Sequence, residues 1–341
     1  MEISGNILDK TRTTSVSNSP FASLDQIRTT GSIVDGVTPI ERERMQASKS
    51  FRFRHQLAGH PSMSLPEIRN LVHQMLTEGR YDQIFYKTGK SMASGQYSDT
   101  KNSKDIINVL ENLNTAGVWL RLTRVDEVTS HFNDIVERFF DDLSELYQQD
   151  MKSRTLKTYV TLFLSSPGAY TNYHMDHTWN FLLQIYGRKS VHLYDPFDPE
   201  VLTQEDKEDW YMKNFTISPR AYAKDIAYDL APGDGVHHPV NAPHWVQNGQ
   251  EVSISLSLGL CLHSSNRDAK IYQANHILRK LGFRPTPPYR SGWRDRMKIA
   301  FVSLWSERNA KTLDGAVYSG GTRLRRFLRI GPSTPNQYEP R

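Results

Sequence analysis

Between Lys157 and Leu262 the sequence carries a succession of short strand patterns with no helical pattern between them, apart from a polar insert at 198–225. Pro-Gly, Gly-Arg and Asp-Pro pairs separate the first of these patterns, and such pairs are typical of tight turns. Short strands joined by tight turns pair most simply as antiparallel neighbours, so they predict an antiparallel barrel or jelly roll. The strand patterns are TYVTLFLSS, NFLLQIYG, KSVHLYD, IAYDLAPGDGVHHPV and HWVQNGQEVSISLSLGLCL.

Helical patterns flank this β region on both sides. In the first of them Ser64 is the predicted N-cap, and Glu67 would complete a capping box. An alternating run after Gly117, VWLRLTRV, predicts one further strand between the second and third helices. The apolar residues that repeat at helical spacing predict helices over 64–79, 103–116, 128–149, 266–282 and 293–309.

These patterns divide the chain into successive parts around one β core. A chain of 341 residues can bury a large core and can hold one domain or two. We predict a mainly β fold with helical additions at both ends. The predicted parts are a partly ordered polar arm at 1–50, an N-terminal helical layer at 51–150, the β-barrel at 151–265, C-terminal helices at 266–310 and a basic tail at 311–341.

Composition argues against several classes of partner. The balance of 42 basic and 37 acidic residues gives a net charge of +5, and four arginines cluster at 323–329. A solvated face explains such a cluster more simply than nucleic acid does, so we do not predict nucleic-acid binding. The sequence shows no signal peptide and no apolar run of about 20 residues, so we expect no membrane partner and a cytoplasmic protein. Cys261 is the single cysteine, which excludes an intrachain disulfide.

His174 and Asp176 stand two residues apart, just before the pattern NFLLQIYG. On an extended strand this spacing places both side chains on one face, where they can bind one ion. A third ligand is expected from GDGVHHPVNAPHWVQNG, in which His237, His238 and His244 are the candidates. Two imidazoles and one carboxylate with open positions form the ligand set of non-haem Fe(II) oxygenases. Zinc is the main alternative ion, but a structural zinc site normally needs four protein ligands.

Further residues stand at fixed distances from this pair. Thr171 lies three residues before His174, and Asn180 and Lys189 lie six and fifteen residues after it. This pattern, with PGDGVHHPVNAPHWVQN and the following VSISLSL, resembles the JmjC and cupin-like 2-oxoglutarate dioxygenases, especially the branch of the factor-inhibiting asparaginyl hydroxylase. The resemblance covers about residues 157–262. It implies a double-stranded β-helix core, and it selects the histidine of Pro-His, His244, as the third ligand.

The resemblance also implies the cofactors and the residues that would bind them. Fe(II), 2-oxoglutarate and O2 are expected, with the three ligands above on the metal. Lys189 would pair with the far carboxylate of 2-oxoglutarate, with Arg188 as the alternative cation, and Thr171 would add a hydroxyl donor. Asn180 would orient the cosubstrate or a metal ligand, and Tyr159 would line the pocket.

Two residues refine the expected reaction. In halogenating relatives the carboxylate ligand is replaced by a small residue, so the presence of Asp176 favours hydroxylation or oxidative demethylation. Ser257 stands where the asparaginyl hydroxylase has an Asn, which is a departure from that branch.

We therefore expect a dioxygenase that hydroxylates a C–H bond, with a protein or peptide side chain as its first expected substrate. A small metabolite or a carrier-bound amino acid is the alternative substrate. A non-catalytic cupin sensor or scaffold and a Mn or Zn isomerase are the rival functions. The aromatic insert at 208–222 is either a substrate lid or plain packing, and the C-terminal helices form either a homodimer interface or a layer on the barrel.

Overall fold

The computed structural model describes residues 31–88, 103–213, 224–310 and 312–331. Strands form where the alternating patterns predict them, and the region before residue 150 adds further strands. They are β1 (Val34–Gly36), β2 (Phe51–His55), β3 (Ile84–Thr88), β4 (Val118–Thr123), β5 (Thr155–Ser165), β6 (Tyr170–His174), β7 (Trp179–Tyr186), β8 (Lys189–Tyr194), β9 (Asp225–Leu230), β10 (Asp234–His238), β11 (His244–Asn248) and β12 (Ser253–Leu262).

The strands form two sheets that face each other. The larger has the order β1-β2-β10-β7-β12-β5-β4-β3 and the smaller has the order β6-β11-β8-β9, with antiparallel neighbours throughout. Leu182 and Val236 of the large sheet share one apolar cluster with Val191 and Val246 of the small sheet. This arrangement is the expected double-stranded β-helix, extended on one side by β4 and β3.

Helices surround this core. Several begin and end close to the predicted limits, although the second stops earlier than its pattern suggests. They are α1 (Pro39–Gln46), α2 (Leu65–Thr77), α3 (Ser103–Glu111), α4 (Ser130–Tyr147), α5 (Met151–Arg154), α6 (Gln204–Trp210), α7 (His263–Lys280), α8 (Gly292–Ser303) and α9 (Leu313–Phe327).

The N-terminal helices cover the outer face of the large sheet. Helix α4 buries its apolar stripe there, and the rings of Phe139 and Phe181 lie 5.3 Å apart between α4 and β7. Ser64 is the N-cap of α2, as predicted, but its side chain makes no capping hydrogen bond, so the expected capping box does not form. Residues 1–30 of the predicted arm lie outside the described residues.

Helix α9 lies where the sequence predicts only a basic tail, which includes the segment TRLRRFLRIG. Its Gly320-Gly321 pair lowers the intrinsic helix propensity. Tertiary packing explains why a helix forms there. A Cβ on Gly321 would lie 2.7 Å from Gln273 of α7, and one on Gly320 would lie 2.7 Å from Val302 of α8, so the glycines allow close helix crossing.

The outer face of α8 carries an exposed apolar stripe. Trp293, Met297, Phe301 and Leu304 follow a helical spacing, and their exposed fractions lie between 48% and 82%. Among the described residues no helix combines the length and the apolar character that a membrane span requires.

Candidate metal centre and its cavity

The sheet register brings the predicted metal ligands together. β6 and β11 are neighbours in the small sheet, and His174 pairs directly with His244 across them. The two imidazole rings lie 4.1 Å apart, and Asp176 follows His174 just beyond the end of β6. One ligand atom from each of the three side chains lies within 4.8 Å of the other two. The spacing of a divalent metal's ligands is of this order.

Both imidazoles are oriented by backbone carbonyls. Nδ1 of His174 lies 2.7 Å from the carbonyl oxygen of Asn172, and Nδ1 of His244 lies 3.0 Å from that of Ala242. A hydrogen bond at Nδ1 places the ring proton there and leaves Nε2 with its lone pair. Metal-binding histidines usually have such a partner. The donor set and its orientation therefore fit a divalent metal such as Fe(II).

Asn180 fixes the carboxylate of the cluster. Its Nδ2 donates a hydrogen bond of 2.5 Å to Oδ2 of Asp176, and its Oδ1 accepts one of 3.1 Å from Thr178. Gly259 stands beside this amide, and a Cβ there would lie 2.7 Å from the Asn180 oxygen. A larger residue at position 259 would therefore clash with the Asn180 amide. The amide contacts a side chain of the metal cluster and is not exposed to solvent.

The electrostatics of the cluster favour the metal-binding protonation states. Burial, with the nearby charge of His174, lowers the pKa of His244 to about 4, so this imidazole is neutral at pH 7. Burial acts to raise the pKa of Asp176. In the acidic range where this carboxyl titrates, its attraction to the protonated forms of His174, His244 and His177 and to Arg121 outweighs burial and holds that pKa below its usual value. A neutral imidazole and an ionised carboxylate are the forms that bind metal.

A cavity of about 640 Å³ lies between the sheets and includes the cluster. Its volume is in the usual range of small-molecule sites. The residues that were predicted for the site all line it. They are Tyr159, Thr171, His174, Asp176, Asn180, Lys189 and His244.

Lys189 lies on another level of the same cavity. Lys189 of β8 stands opposite Asn248 of β11, whereas Leu193 of β8 stands opposite His244 of β11. Four strand positions separate the two levels, which corresponds to roughly 13 Å along the strand. Both levels line the one cavity, so the lysine and the metal cluster face the same space.

The amine of Lys189 is buried, and no described residue supplies a counter-charge for it. The residue is 7% exposed, and it forms no ion pair or hydrogen bond with any described residue. Burial lowers the pKa of its amine to about 7. Arg188, the alternative cation, is exposed to solvent and does not line the cavity. Lys189 is therefore the cation that an anion in this cavity would meet on the small sheet.

The two other histidine candidates have different surroundings. The ring of His237 packs against Phe51 and Phe181 on the helical side of the large sheet, and its Nδ1 contacts the carbonyl oxygen of Asn180. His238 lines the cavity, with its ring 4.6 Å from that of His244. Neither ring nitrogen of His238 has a hydrogen-bond partner among the described residues. His244, and not His237, completes the cluster.

Two parts of the cavity wall were missed in the sequence. One is the β3–β4 ribbon, which contributes Phe85, Trp119 and Arg121. The alternation of VWLRLTRV could have indicated that Trp119 and Arg121 share a face. The other is α9, whose Tyr318 hydroxyl lies 3.0 Å from Nδ1 of His177, the residue after Asp176. No sequence signal indicated that contact.

The predicted lid falls partly outside the described residues, which end at Lys213 and resume at Lys224. The described part of this insert packs against the rest of the protein and does not form an exposed flap. Tyr211 is 1% exposed, its ring stacks on that of Tyr272, and its hydroxyl donates to Asn241.

Two facing antiparallel sheets with a two-histidine, one-carboxylate cluster between them define a cupin with a candidate metal site. The sequence pattern of the cupin-like domain family matches residues 48–258, which is more than half of the chain. The protein belongs to that family.

The solved structures that are similar to this chain include a ribosomal oxygenase, a DMSP lyase and a cupin domain. The Escherichia coli ribosomal oxygenase YcfD, in complex with cobalt and 2-oxoglutarate, is 14% identical, with 80% of this chain and 68% of that chain covered and a TM-score of 0.42. The DMSP lyase DddQ from Ruegeria pomeroyi DSS-3 is 14% identical over 31% of this chain and 39% of its own, with a TM-score of 0.21. The Drosophila melanogaster CENP-C cupin domain is 13% identical over 29% and 59%, with a TM-score of 0.22. No curated protein sequence matches this chain.

Proposed function

We propose that the protein is an Fe(II)- and 2-oxoglutarate-dependent dioxygenase that hydroxylates a C–H bond. One observation carries the proposal. A single cavity contains both the cluster of His174, Asp176 and His244 and, four strand positions away, the buried amine of Lys189. The cluster suits a metal, and the unpaired cation suits the second carboxylate of a dicarboxylic cosubstrate.

The three clustered side chains would hold the iron. When it is bound, the iron supplies the oxidative chemistry, in which O2 and 2-oxoglutarate give succinate, CO2 and one hydroxyl group on the substrate. The chain's own part is to keep the ligands in place. The carbonyls behind His174 and His244 orient the imidazoles, and the hydrogen bond from Asn180 orients the carboxylate of Asp176.

Lys189 would hold the far carboxylate of 2-oxoglutarate. A buried lysine with a lowered pKa gains a proton when an anion arrives, so binding restores the charge that burial disfavours. Thr171 and Tyr159 line the same cavity and can add hydroxyl contacts. The Thr171, Asn180 and Lys189 pattern supports a place near the asparaginyl hydroxylase branch, and Ser257 departs from it.

The prime substrate that we favour is a side chain of a protein or peptide, which would enter the open side of the cavity. A small metabolite is the second candidate, because the cavity volume of about 640 Å³ would also enclose a free small molecule. A peptide substrate would present only one side chain to the cluster, and the rest of it would lie outside the cavity.

Succinate release from 2-oxoglutarate by the Fe(II)-loaded protein, with no prime substrate present, tests the proposal. We expect slow turnover that His174→Ala abolishes and that Lys189→Ala lowers at least tenfold at limiting 2-oxoglutarate. Arg188→Ala is the matched control, because it removes the neighbouring cation from the exposed side of the chain, and it should leave turnover unchanged.

The rival functions make different predictions for the same assay. A non-catalytic cupin would bind metal and release no succinate. A Mn or Zn isomerase would also release none, and Lys189→Ala would have little effect on its activity. Turnover that is insensitive to His174→Ala would contradict the metal assignment itself.

A further inference from the structure

Of the three predicted metal ligands, Asp176 is the one that lies outside a strand. His174 ends β6 and His244 begins β11, whereas Asp176 belongs to the four-residue connection 175–178 between β6 and β7, which we call the ligand connection. The ladder hydrogen bonds of the sheet therefore do not fix this ligand. A metal site needs neighbouring groups that hold each of its ligands in place. The contacts of the ligand connection thus determine where the carboxylate stands.

The residues of the ligand connection are held by contacts with other parts of the chain. Met175 is buried in an apolar cluster. The backbone carbonyl of Asp176 accepts a hydrogen bond of 2.8 Å from the backbone N–H of Asn241. The carboxylate of Asp176 and the hydroxyl of Thr178 both bond to the amide of Asn180. The remaining residue, directly after Asp176, is held by helix α9.

This residue is His177, and its partner on α9 is Tyr318. The tyrosine hydroxyl lies 3.0 Å from Nδ1 of the imidazole, and the two rings meet edge to face with their centres 5.2 Å apart. The other ring nitrogen, Nε2, is buried and has no hydrogen-bond partner among the described residues. Within that part of the chain, the Tyr318 hydroxyl is therefore the group that fixes the orientation of the His177 ring.

A second buried tyrosine also supports the ligand connection. The hydroxyl of Tyr211 donates a hydrogen bond of 3.0 Å to Oδ1 of Asn241, the residue whose backbone N–H bonds to Asp176. Tyr211 and Tyr318 belong to one apolar cluster, and their ring centres lie 6.3 Å apart. Gln273 of α7 donates hydrogen bonds to the backbone carbonyls of Tyr211 and of the residue before Tyr318. The two tyrosines therefore form one support behind the ligand connection.

Helix α9 is fixed firmly enough to serve as this support. The backbone N–H of Gly321 donates a hydrogen bond of 3.2 Å to Oε1 of Gln273, so α9 is tied to α7 one turn after Tyr318. Tyr318 itself is buried, with 6% of its surface exposed. A buried tyrosine offers an apolar body for packing and a hydroxyl that needs a partner. Here the packing sets the place of the hydroxyl, and His177 is the partner.

We propose, on the basis of the metal centre proposed above, that Tyr318 is a positioning residue for Asp176. Its hydrogen bond to His177 fixes the ligand connection, so helix α9 is part of the metal centre and not only a layer on the barrel. Loss of a group that orients a metal ligand commonly lowers metal affinity by about 10–100-fold. Because Tyr318 acts through one further residue, we expect an effect at the lower end of this range.

The test measures the affinity of the full-length protein for Co(II) and the visible absorption spectrum of the bound Co(II), which depends on the arrangement of its ligands. Tyr318→Phe removes the hydroxyl and keeps the ring in its cluster. Tyr272→Phe is the matched control. It removes a hydroxyl from the same apolar cluster, and among the described residues that hydroxyl forms no hydrogen bond with the ligand connection. Urea unfolding of each metal-free variant shows whether it has folded.

We expect Tyr318→Phe to bind Co(II) about tenfold more weakly than the wild type and to change the spectrum at saturating Co(II). Tyr272→Phe should match the wild type in both measurements. His177→Phe removes the same contact from its other side and should reproduce the loss, and it provides the test if Tyr318→Phe does not fold. Adding Tyr318→Phe to His177→Phe should cause no further loss, because two residues that act through one contact are not additive.

Three results would overturn the inference. They are a wild-type affinity and spectrum in Tyr318→Phe, even if its stability is lower, an equal loss of affinity in Tyr272→Phe, and a further loss when Tyr318→Phe is added to His177→Phe. The proposed function fails separately. If Co(II) binding depended on Tyr318 but the Fe(II)-loaded protein released no succinate, the positioning role would stand and the dioxygenase proposal would fall. A wild type that bound no Co(II) would overturn both.

Discussion

Replacing Lys189 by methionine should make the metal-free protein more stable while it removes the proposed cosubstrate site. Methionine keeps the apolar stem of the side chain and deletes the amine, which has no ion pair or hydrogen bond within the described parts of the chain. A buried charge without a partner destabilises the folded state, because folding removes it from water. The substitution should therefore relieve a penalty and lose no interaction.

The size of that penalty follows from the pKa of the amine, which burial lowers from 10.5 to about 7. At pH 7 this difference corresponds to a penalty on the order of 4 kcal/mol, since one pKa unit equals about 1.4 kcal/mol. Below pH 7 the penalty is fully present, because the amine is protonated in both states. Between pH 7 and 10.5 the unfolded chain binds more protons at this group, so the penalty falls as the pH rises. Above pH 10.5 it disappears.

Urea unfolding of the metal-free wild type and of Lys189→Met, at pH 7 and at pH 10, measures this difference. We expect the variant to be more stable by about 2–4 kcal/mol at pH 7 and by no more than about 1 kcal/mol at pH 10. With metal bound, 2-oxoglutarate at 100 times its Kd should stabilise the wild type by about 2.7 kcal/mol and leave the variant unchanged. A variant that is less stable than the wild type at pH 7, or a difference that does not change with pH, would refute the reasoning.

Further predictions concern the metal, a turn and the assembly. His174→Ala should abolish stoichiometric Co(II) binding in equilibrium dialysis, and retained binding would exclude this ligand. Gly187→Ala should lower the free energy of unfolding by at least about 2 kcal/mol, because φ is +72° and a Cβ would lie 2.1 Å from a backbone carbonyl oxygen. The control Gly168→Ala, at φ +69° with open space, should cost only about 1 kcal/mol, and equal losses would contradict the clash. We also propose that two copies of the chain pair through the exposed stripe of α8. The double variant Trp293→Ser, Met297→Ser should then be a monomer in light scattering where the wild type is a dimer, and a monomeric wild type would contradict the proposal.

The strands were predictable because their signal is local. In the small sheet, one face of β8 is buried at every second residue from Lys189 to Leu193, as alternation requires. The spacing of His174 and Asp176 likewise indicated a shared site, although Asp176 lies just past the strand end. The pairing of His174 with His244 is not local. It depends on β6 and β11 being neighbours in the sheet, and the resemblance to a known family supplied that relation.

Helix α9 and the part of the cavity wall formed by β3 and β4 show why other parts of the fold and of the site could not be predicted from the sequence. Gly320 and Gly321 are poor helix formers when judged alone, and they become favourable only where α7 and α8 require close approach. The alternating pattern predicts that Arg121 is an exposed strand residue. Its contact with the ring of Phe85 could not be predicted, because Phe85 lies 36 positions earlier in the chain. In both cases the deciding contact joins segments whose order in space the residue pattern does not encode.

The sheet register ties these observations to the chemistry. On β11 the inward residues His244, Val246 and Asn248 stand opposite Leu193, Val191 and Lys189 of β8, so the metal level and the lysine level are separated by one apolar level. That level separates the backbone positions of the lysine and of the cluster, and it leaves a gap that the proposed dicarboxylate would fill. A slip of one residue between β8 and β11 would turn Lys189 to the outer face and leave the cluster without its partner. The same pairing that closes the barrel therefore sets the length of the ligand that the cavity can accept.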